Sequence, residues 1–96
     1  MREIERETEQ TTAFKKDLRR EGKGPNFVTL NAVLPEILAD LVNDIPLDTK
    51  YKDHALTGNW EGCRDCHLKY DLVLIYEKID NLLILHRFGS HSELFG

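Results

Sequence analysis

Cysteine is scarce here: the 96 residues hold two, Cys63 and Cys66, beside one methionine, one tryptophan and three prolines. The methionine is Met1, so no internal thioether exists to serve as an axial iron ligand. Long apolar runs are missing too. The longest, DLVLIY and NLLIL, are far too short to cross a bilayer, and the charged opening MREIERETEQ has no apolar core of the kind a secretion signal needs. Low-complexity tracts and internal repeats are absent. The expectation is a cytoplasmic protein with no membrane contact, in which the two thiols stay reduced.

What remains is an ordinary globular composition, 41% hydrophobic and 31% charged. Ninety-six residues suit one domain, expected to span residues 1–96. The formal charge of −4 argues against nucleic-acid binding by the whole surface. The charge is unevenly spread. Glu3, Glu5, Glu7 and Glu9 crowd the first ten residues, whereas KKDLRREGK places Lys15, Lys16, Arg19, Arg20 and Lys23 at steps of three and four, as one basic stripe on a helix.

Residues 2 to 8 alternate as a first strand would with its odd face solvated. Thr11 or Thr12 can cap a helix bearing Phe14 and Leu18 and stopped near Gly22. Asn26 can cap a second, with Phe27, Leu30, Leu34, Ile37, Leu38 and Leu41 at the helical period and Pro35 expected to kink or split it. Residues 44 to 61 read as irregular. Three strands follow, near 62 to 68, 71 to 79 and 81 to 88, joined by connections short enough for hairpins. The expected architecture is α+β, in the order β-α-α-β-β-β. Two N-terminal helices would pack on one face of a small twisted antiparallel sheet, with a short helical turn at the C-terminus.

GCRDCH, residues 62 to 67, has the C-x-x-C-H spacing of covalent haem attachment. On a strand, however, Cys63, Asp65 and His67 point one way and Arg64, Cys66 and Leu68 the other. Thiols on opposite faces cannot share one zinc, and no second C-x-x-C or H-x-x-x-H completes a set of four ligands. The cysteines are read as small buried hydrophobes, with no metal and no cofactor expected. Asp65 and His67 do share a face, Asp71 starts the next strand, His54 precedes and His91 follows. The chain therefore supplies three imidazoles and two carboxylates at strand ends and loops, where side chains converge on clefts. His86 is read as structural, on the strand face opposite Arg87. Ser90 and Glu93 have capping-box spacing, which makes Ser90 an N-cap and sets His91 at a helix start whose free amides suit an anion such as phosphate. The plainer reading is a C-terminal turn held by Leu94 and Phe95.

YKDHALTGNWEGCRDCHLKYDLVLIYEK followed by LLILHRFGSHSELFG, with FKKDLRR upstream, resembles the YafQ branch of the RelE superfamily, the toxin halves of bacterial type II toxin–antitoxin pairs. The resemblance spans nearly the whole chain. It implies a RelE-like fold and a ribosome-dependent endoribonuclease that cuts mRNA in the ribosomal A site. It further implies silencing by a cognate antitoxin, as a hetero-oligomer with it and a monomer when free. Carried over by position, the functional residues are His54, Asp65, His67, Asp71, His91 and Phe95, with Arg87 as a phosphate contact. His91 would be the general acid, Asp71 or His67 the base, Asp65 the orienter of an imidazole and Phe95 a stacking platform for a base. Expected products are a 2′,3′-cyclic phosphate and a 5′-OH. Departures from the pattern are the acidic pI, the glutamate row, Pro35 and Phe88 in place of a small residue. Two rivals stand beside this reading: a partner-binding module that has lost catalysis, and a redox or haem protein using Cys63, Cys66 and His67.

Overall fold

The computed structural model describes residues 5–96, so part of the first expected strand, residues 2–4, lies outside the described residues. A short strand β1 (Glu7–Gln10) leads into α1 (Thr12–Gly22), α2 (Phe27–Val42), a two-residue strand β2 (His54–Ala55), then β3 (Arg64–Lys69), β4 (Leu72–Ile79), β5 (Leu82–Gly89) and α3 (His91–Phe95). The sheet order is β1-β5-β4-β3-β2. The three long strands form the expected meander, turning at Tyr70–Asp71 and at Asp80–Asn81, where Asp80 takes a left-handed φ of 52°. One expectation is corrected: β1 pairs parallel with β5, so the sheet is mixed. A parallel neighbour needs a crossover, and the two helices supply it. All four residues of β1 are exposed, because this edge strand lies beyond the packed layer.

Thr11 caps α1 by accepting a hydrogen bond from the Phe14 amide at 3.0 Å. Helix α2 runs unbroken through Pro35, which is exposed, so the chain tolerates the lost amide without splitting the helix. Leu34, Ile37 and Leu41 pack with Phe14 against Cys66, Leu68, Leu72, Leu74, Tyr76, Leu83, Leu85 and Phe88 on one sheet face. Phe27, assigned by periodicity to the buried stripe, is 53% exposed, since it lies in the first turn, at the end of the packed layer. The opposite sheet face carries a smaller cluster of Cys63, Val73, Ile75 and Leu94. That second cluster seats α3.

A register shift decides the faces of β5. Ile75 pairs with Arg87 and Tyr76 with Leu85, which leaves His86 as the extra residue of a bulge. Leu83 and Leu85 face the helices before the bulge, and Phe88 does so after it. His86 is thereby turned away from the helices, and its Nε2 lies 2.9 Å from Glu77 Oε1. No helix among the described residues is long and apolar enough to cross a membrane.

Candidate active site

Strand β2 was not foreseen, and it builds one corner of the site. Lys52 adopts a left-handed conformation (φ 53°) that turns the chain into β2. Asp53 is then anchored by the Tyr76 hydroxyl and by Arg64 at 3.2 Å. Two ladder pairs, His54 with Asp65 and Ala55 with Arg64, set the imidazole directly across from the buried carboxyl. His54 Nδ1 lies 2.8 Å from the Lys52 carbonyl, which can only accept, so Nδ1 carries the hydrogen and Nε2 is left free.

Asp65 is 2% exposed. Its Oδ1 is 3.1 Å from His54 Nδ1 and 3.8 Å from His67 Nε2. Proximity is not bonding here: the His54 proton is aimed at Lys52, and Oδ1 receives no hydrogen bond. Burial pushes the Asp65 carboxyl above its ordinary range, opposed by the charges of His54, His67 and His91. Burial likewise pushes His67 below the usual imidazole value, with Asp65 opposing. Burial thus favours the neutral form of His67.

The His67 ring sits between two others, its centroid 6.2 Å from that of His54 and 5.1 Å from that of His91. His91 is the first residue of α3. Ser90 Oγ accepts from the Glu93 amide and Glu93 Oε1 accepts from the Ser90 amide, completing the expected capping box. The His91 amide is not free for phosphate, however. Asp71 Oδ1 accepts both from that amide at 2.9 Å and from His91 Nδ1 at 2.7 Å. Those two bonds hold the Asp71 carboxyl below its ordinary range. Phe95, one turn on, places its exposed ring 6.1 Å from His91. His54, Asp65, His67, Asp71, His91 and Phe95 are thus brought together as a chain of contacts running from β2 across β3 to α3.

Arg87 is held elsewhere. Strand β1 ends opposite Leu85, and beyond that point Arg87 reaches Asp17 on α1 through two bonds, Nε to Oδ2 at 2.6 Å and Nη2 to Oδ1 at 3.2 Å. Asp17 also accepts from the Phe88 amide at 3.0 Å and from Arg20 at 3.0 Å. Burial raises the Asp17 carboxyl, but these partners outweigh it and hold the group below its ordinary range. Asp17 escaped the sequence reading because KKDLRR reads as a solvated charged face. Arg20 is likewise no part of a free stripe: it bonds Asp17, Glu21, Glu93 and the Phe88 carbonyl.

Beside the imidazoles opens a cleft of about 820 Å³, lined by His67, Asp71 and His91 together with Lys50, Tyr51, Lys52, Lys69 and Tyr70. Tyr70, at the β3–β4 turn, is 92% exposed. These lysines and tyrosines were missed as functional residues, although the juxtaposed pairs TKYK and LKYD were a visible cue. Three ligand atoms, one each from His54, Asp65 and His67, lie within 4.8 Å of one another, close enough to hold an ion. The two thiols stand in different clusters on opposite faces, as alternation required, and both are buried.

Two helices on one face of a five-stranded sheet, with an imidazole–carboxylate cluster at the strand ends, define a RelE-like α+β domain. The chain belongs to the YafQ family, bacterial toxins of type II toxin–antitoxin systems, whose family model matches residues 6–96. The mRNA interferase toxin YafQ of Escherichia coli is 38% identical over 93 residues, covering 97% of this chain and 99% of that one. YafQ in the crystal structure of the E. coli DinJ–YafQ complex superposes with a TM-score of 0.81 at 36% identity, over 95% of this chain and 99% of that one. A metal-bound toxin from Helicobacter pylori superposes at 0.78 with 38% identity, over 94% of this chain and 99% of that one.

Proposed function

We propose that this chain is a single endoribonuclease domain that cleaves mRNA in the ribosomal A site and is silenced by a cognate antitoxin. The observation that carries the reading is the linked set His54, Asp65, His67, His91 and Asp71 beside a cleft rimmed by lysines and tyrosines. Its relatives support both halves: E. coli YafQ is an mRNA interferase toxin, and it forms a toxin–antitoxin complex with DinJ.

RNA can be cut by its own 2′-OH. A base removes the hydroxyl proton, the O2′–P bond forms, the P–O5′ bond breaks, and an acid protonates the departing oxygen, giving a 2′,3′-cyclic phosphate and a 5′-OH. His91 is the acid. Asp71 accepts from Nδ1, so in the imidazolium form the second, transferable proton sits on Nε2 in a fixed orientation. His67 suits the base, because burial favours its neutral form, whereas two hydrogen bonds make Asp71 a weak one and an orienter instead. His54 donates to the developing phosphorane charge when protonated. Arg87, held by Asp17 away from the imidazoles, takes no step in this scheme, and Asp65 sets a buried carboxyl beside the two imidazoles that flank it. Phe95 and Tyr70 offer exposed rings for base stacking.

The test is single-turnover cleavage of mRNA on ribosomes. His91→Gln keeps a donor of similar reach but no transferable proton, and its rate is expected to fall by roughly a hundredfold or more. A substrate with a 5′-thio leaving group departs without protonation and restores most of that loss. Equal defects on both substrates make His91 a binding residue, and no cleavage by the wild-type chain leaves it a partner-binding module.

A further inference from the structure

The bulge at His86 gathers a second set of ligand atoms that the ribonuclease reading does not use. Cys63 Sγ, a carboxylate oxygen of Glu77 and a ring nitrogen of His86 lie within 4.8 Å of one another. We infer that Cys63, Glu77 and His86 bind one divalent transition-metal ion of the zinc type, through thiolate, carboxylate oxygen and imidazole Nε2, with water as fourth ligand. The inference stands apart from the ribonuclease reading and from the His54–Asp65–His67 cluster.

Four observations support it. The donors are sulfur, nitrogen and oxygen from separate strands, converging on one sheet face: Cys63 just before β3, Glu77 on β4 and His86 on β5. In a tetrahedral zinc site, bond lengths of about 2.0–2.3 Å put donors roughly 3.3–3.8 Å apart, which side-chain rotation reaches from the observed spacing. His86 and Glu77 already share a hydrogen across 2.9 Å, so an ion would replace that hydrogen without dragging in a distant group. Trp60 packs edge-on against the His86 ring, centroids 5.9 Å apart, limiting its rotation. Glu77 and His86 keep about a quarter of their side chains exposed (28% and 25%), which opens an entry route.

The charges balance. Binding breaks the Cys63 S–H bond and releases its proton to solvent, and a thiolate plus a carboxylate neutralise a divalent ion. Without an ion, the Cys63 thiol is held protonated by burial and then by the Glu77 charge, so the buried sulfur behaves as a small hydrophobe. Occupied, the site would cross-link the entry to β3 with β4 and β5 beneath Leu94, which anchors α3 in the same cluster.

Cobalt(II) is the probe, titrated into the reduced full-length chain. A thiolate-to-cobalt charge-transfer band should saturate at one equivalent and persist when His54→Gln and His67→Gln remove the other cluster. Cys66→Ala, on the opposite sheet face, should keep the band, Cys63→Ser abolish it and His86→Gln weaken binding at least tenfold. Zinc at a hundred times its Kd should raise Tm by roughly 10–20 °C in wild type and much less in His86→Gln. A folded wild-type chain without a thiolate band, or a band that survives Cys63→Ser, overturns the inference. If Cys63→Ser does not fold by circular dichroism, the decision passes to His86→Gln and Glu77→Gln, and undiminished cobalt affinity in both overturns it.

Discussion

Asp65 combines burial, a carboxyl pushed up in pKa and an oxygen without a hydrogen bond, a costly arrangement that the proposed catalytic role would explain. Its native carboxyl holds a proton more tightly than the unfolded one, so it contributes less to stability as pH rises past about 4. Asp65→Asn removes the charge at constant shape. The variant should be more stable by about 1 kcal/mol, a Tm gain of roughly 4–8 °C by calorimetry. Ribosomal cleavage should meanwhile fall on the order of a hundredfold as His54 and His67 lose the buried charge beside them. A less stable Asp65→Asn would show that the carboxyl is a structural partner. His67 gives a second prediction. Because burial lowers its pKa, the acid limb of the cleavage–pH profile should lie below the ordinary imidazole value of about 6.5, measured on cleavage steps slower than ribosome binding. A limb above that value would exclude His67 as the base.

Between elements, the decisive joint is Asp17, through which α1 grips β5: one buried carboxylate takes bonds from Arg87, Arg20 and the Phe88 amide. Arg20 extends the joint to α3 through Glu93, with Oε1 at 3.3 Å. Gly89 lies under this contact, where a Cβ would come within 2.6 Å of Arg20 Nη2 and 2.7 Å of Glu93 Oε1. Asp17→Ala should cost about 3–5 kcal/mol by urea unfolding, since it strands the Arg87 guanidinium and the Phe88 amide. A cost below about 1 kcal/mol would show the joint to be dispensable. The same carboxylate sets acid sensitivity. Asp17 is held below its unfolded value of about 4, and Asp44, bonded by Arg6 and Lys78, is lowered to about 2. Both therefore contribute fully above pH 4, and the contribution is lost as pH falls through the native values. Thermal melts from pH 7 to pH 2 should show Tm falling in that window, less steeply in Asp44→Asn.

On the proposed reading, a molecule of net charge −4 must bind a polyanionic substrate, so binding has to come from local cations. Lys50, Lys52 and Lys69 ring the cleft, and Lys15, Lys16, Arg19 and Lys23 are exposed along α1. The free protein should cut naked RNA poorly and mRNA on ribosomes well. Reversing Lys16 and Arg19 to Glu should weaken ribosome or antitoxin binding about tenfold while leaving the melting temperature within a few degrees. Efficient ribosome-free degradation of arbitrary RNA would contradict the whole account.

The helical periods, the capping residues Thr11 and Ser90 and the strand alternation across Cys63 to Leu68 were all readable from the sequence, because each depends on neighbours within a few residues. So was the set of imidazoles and carboxylates that meet at the strand ends. Long-range geometry was not readable. The parallel pairing of β1 depends on where a crossover returns, and β2 is two residues whose only signal is the partner across from them. The role of Asp17 arises 70 residues away in sequence, at Arg87. The bulge that turns His86 toward Glu77 and Cys63 follows from register between strands, which local alternation cannot specify.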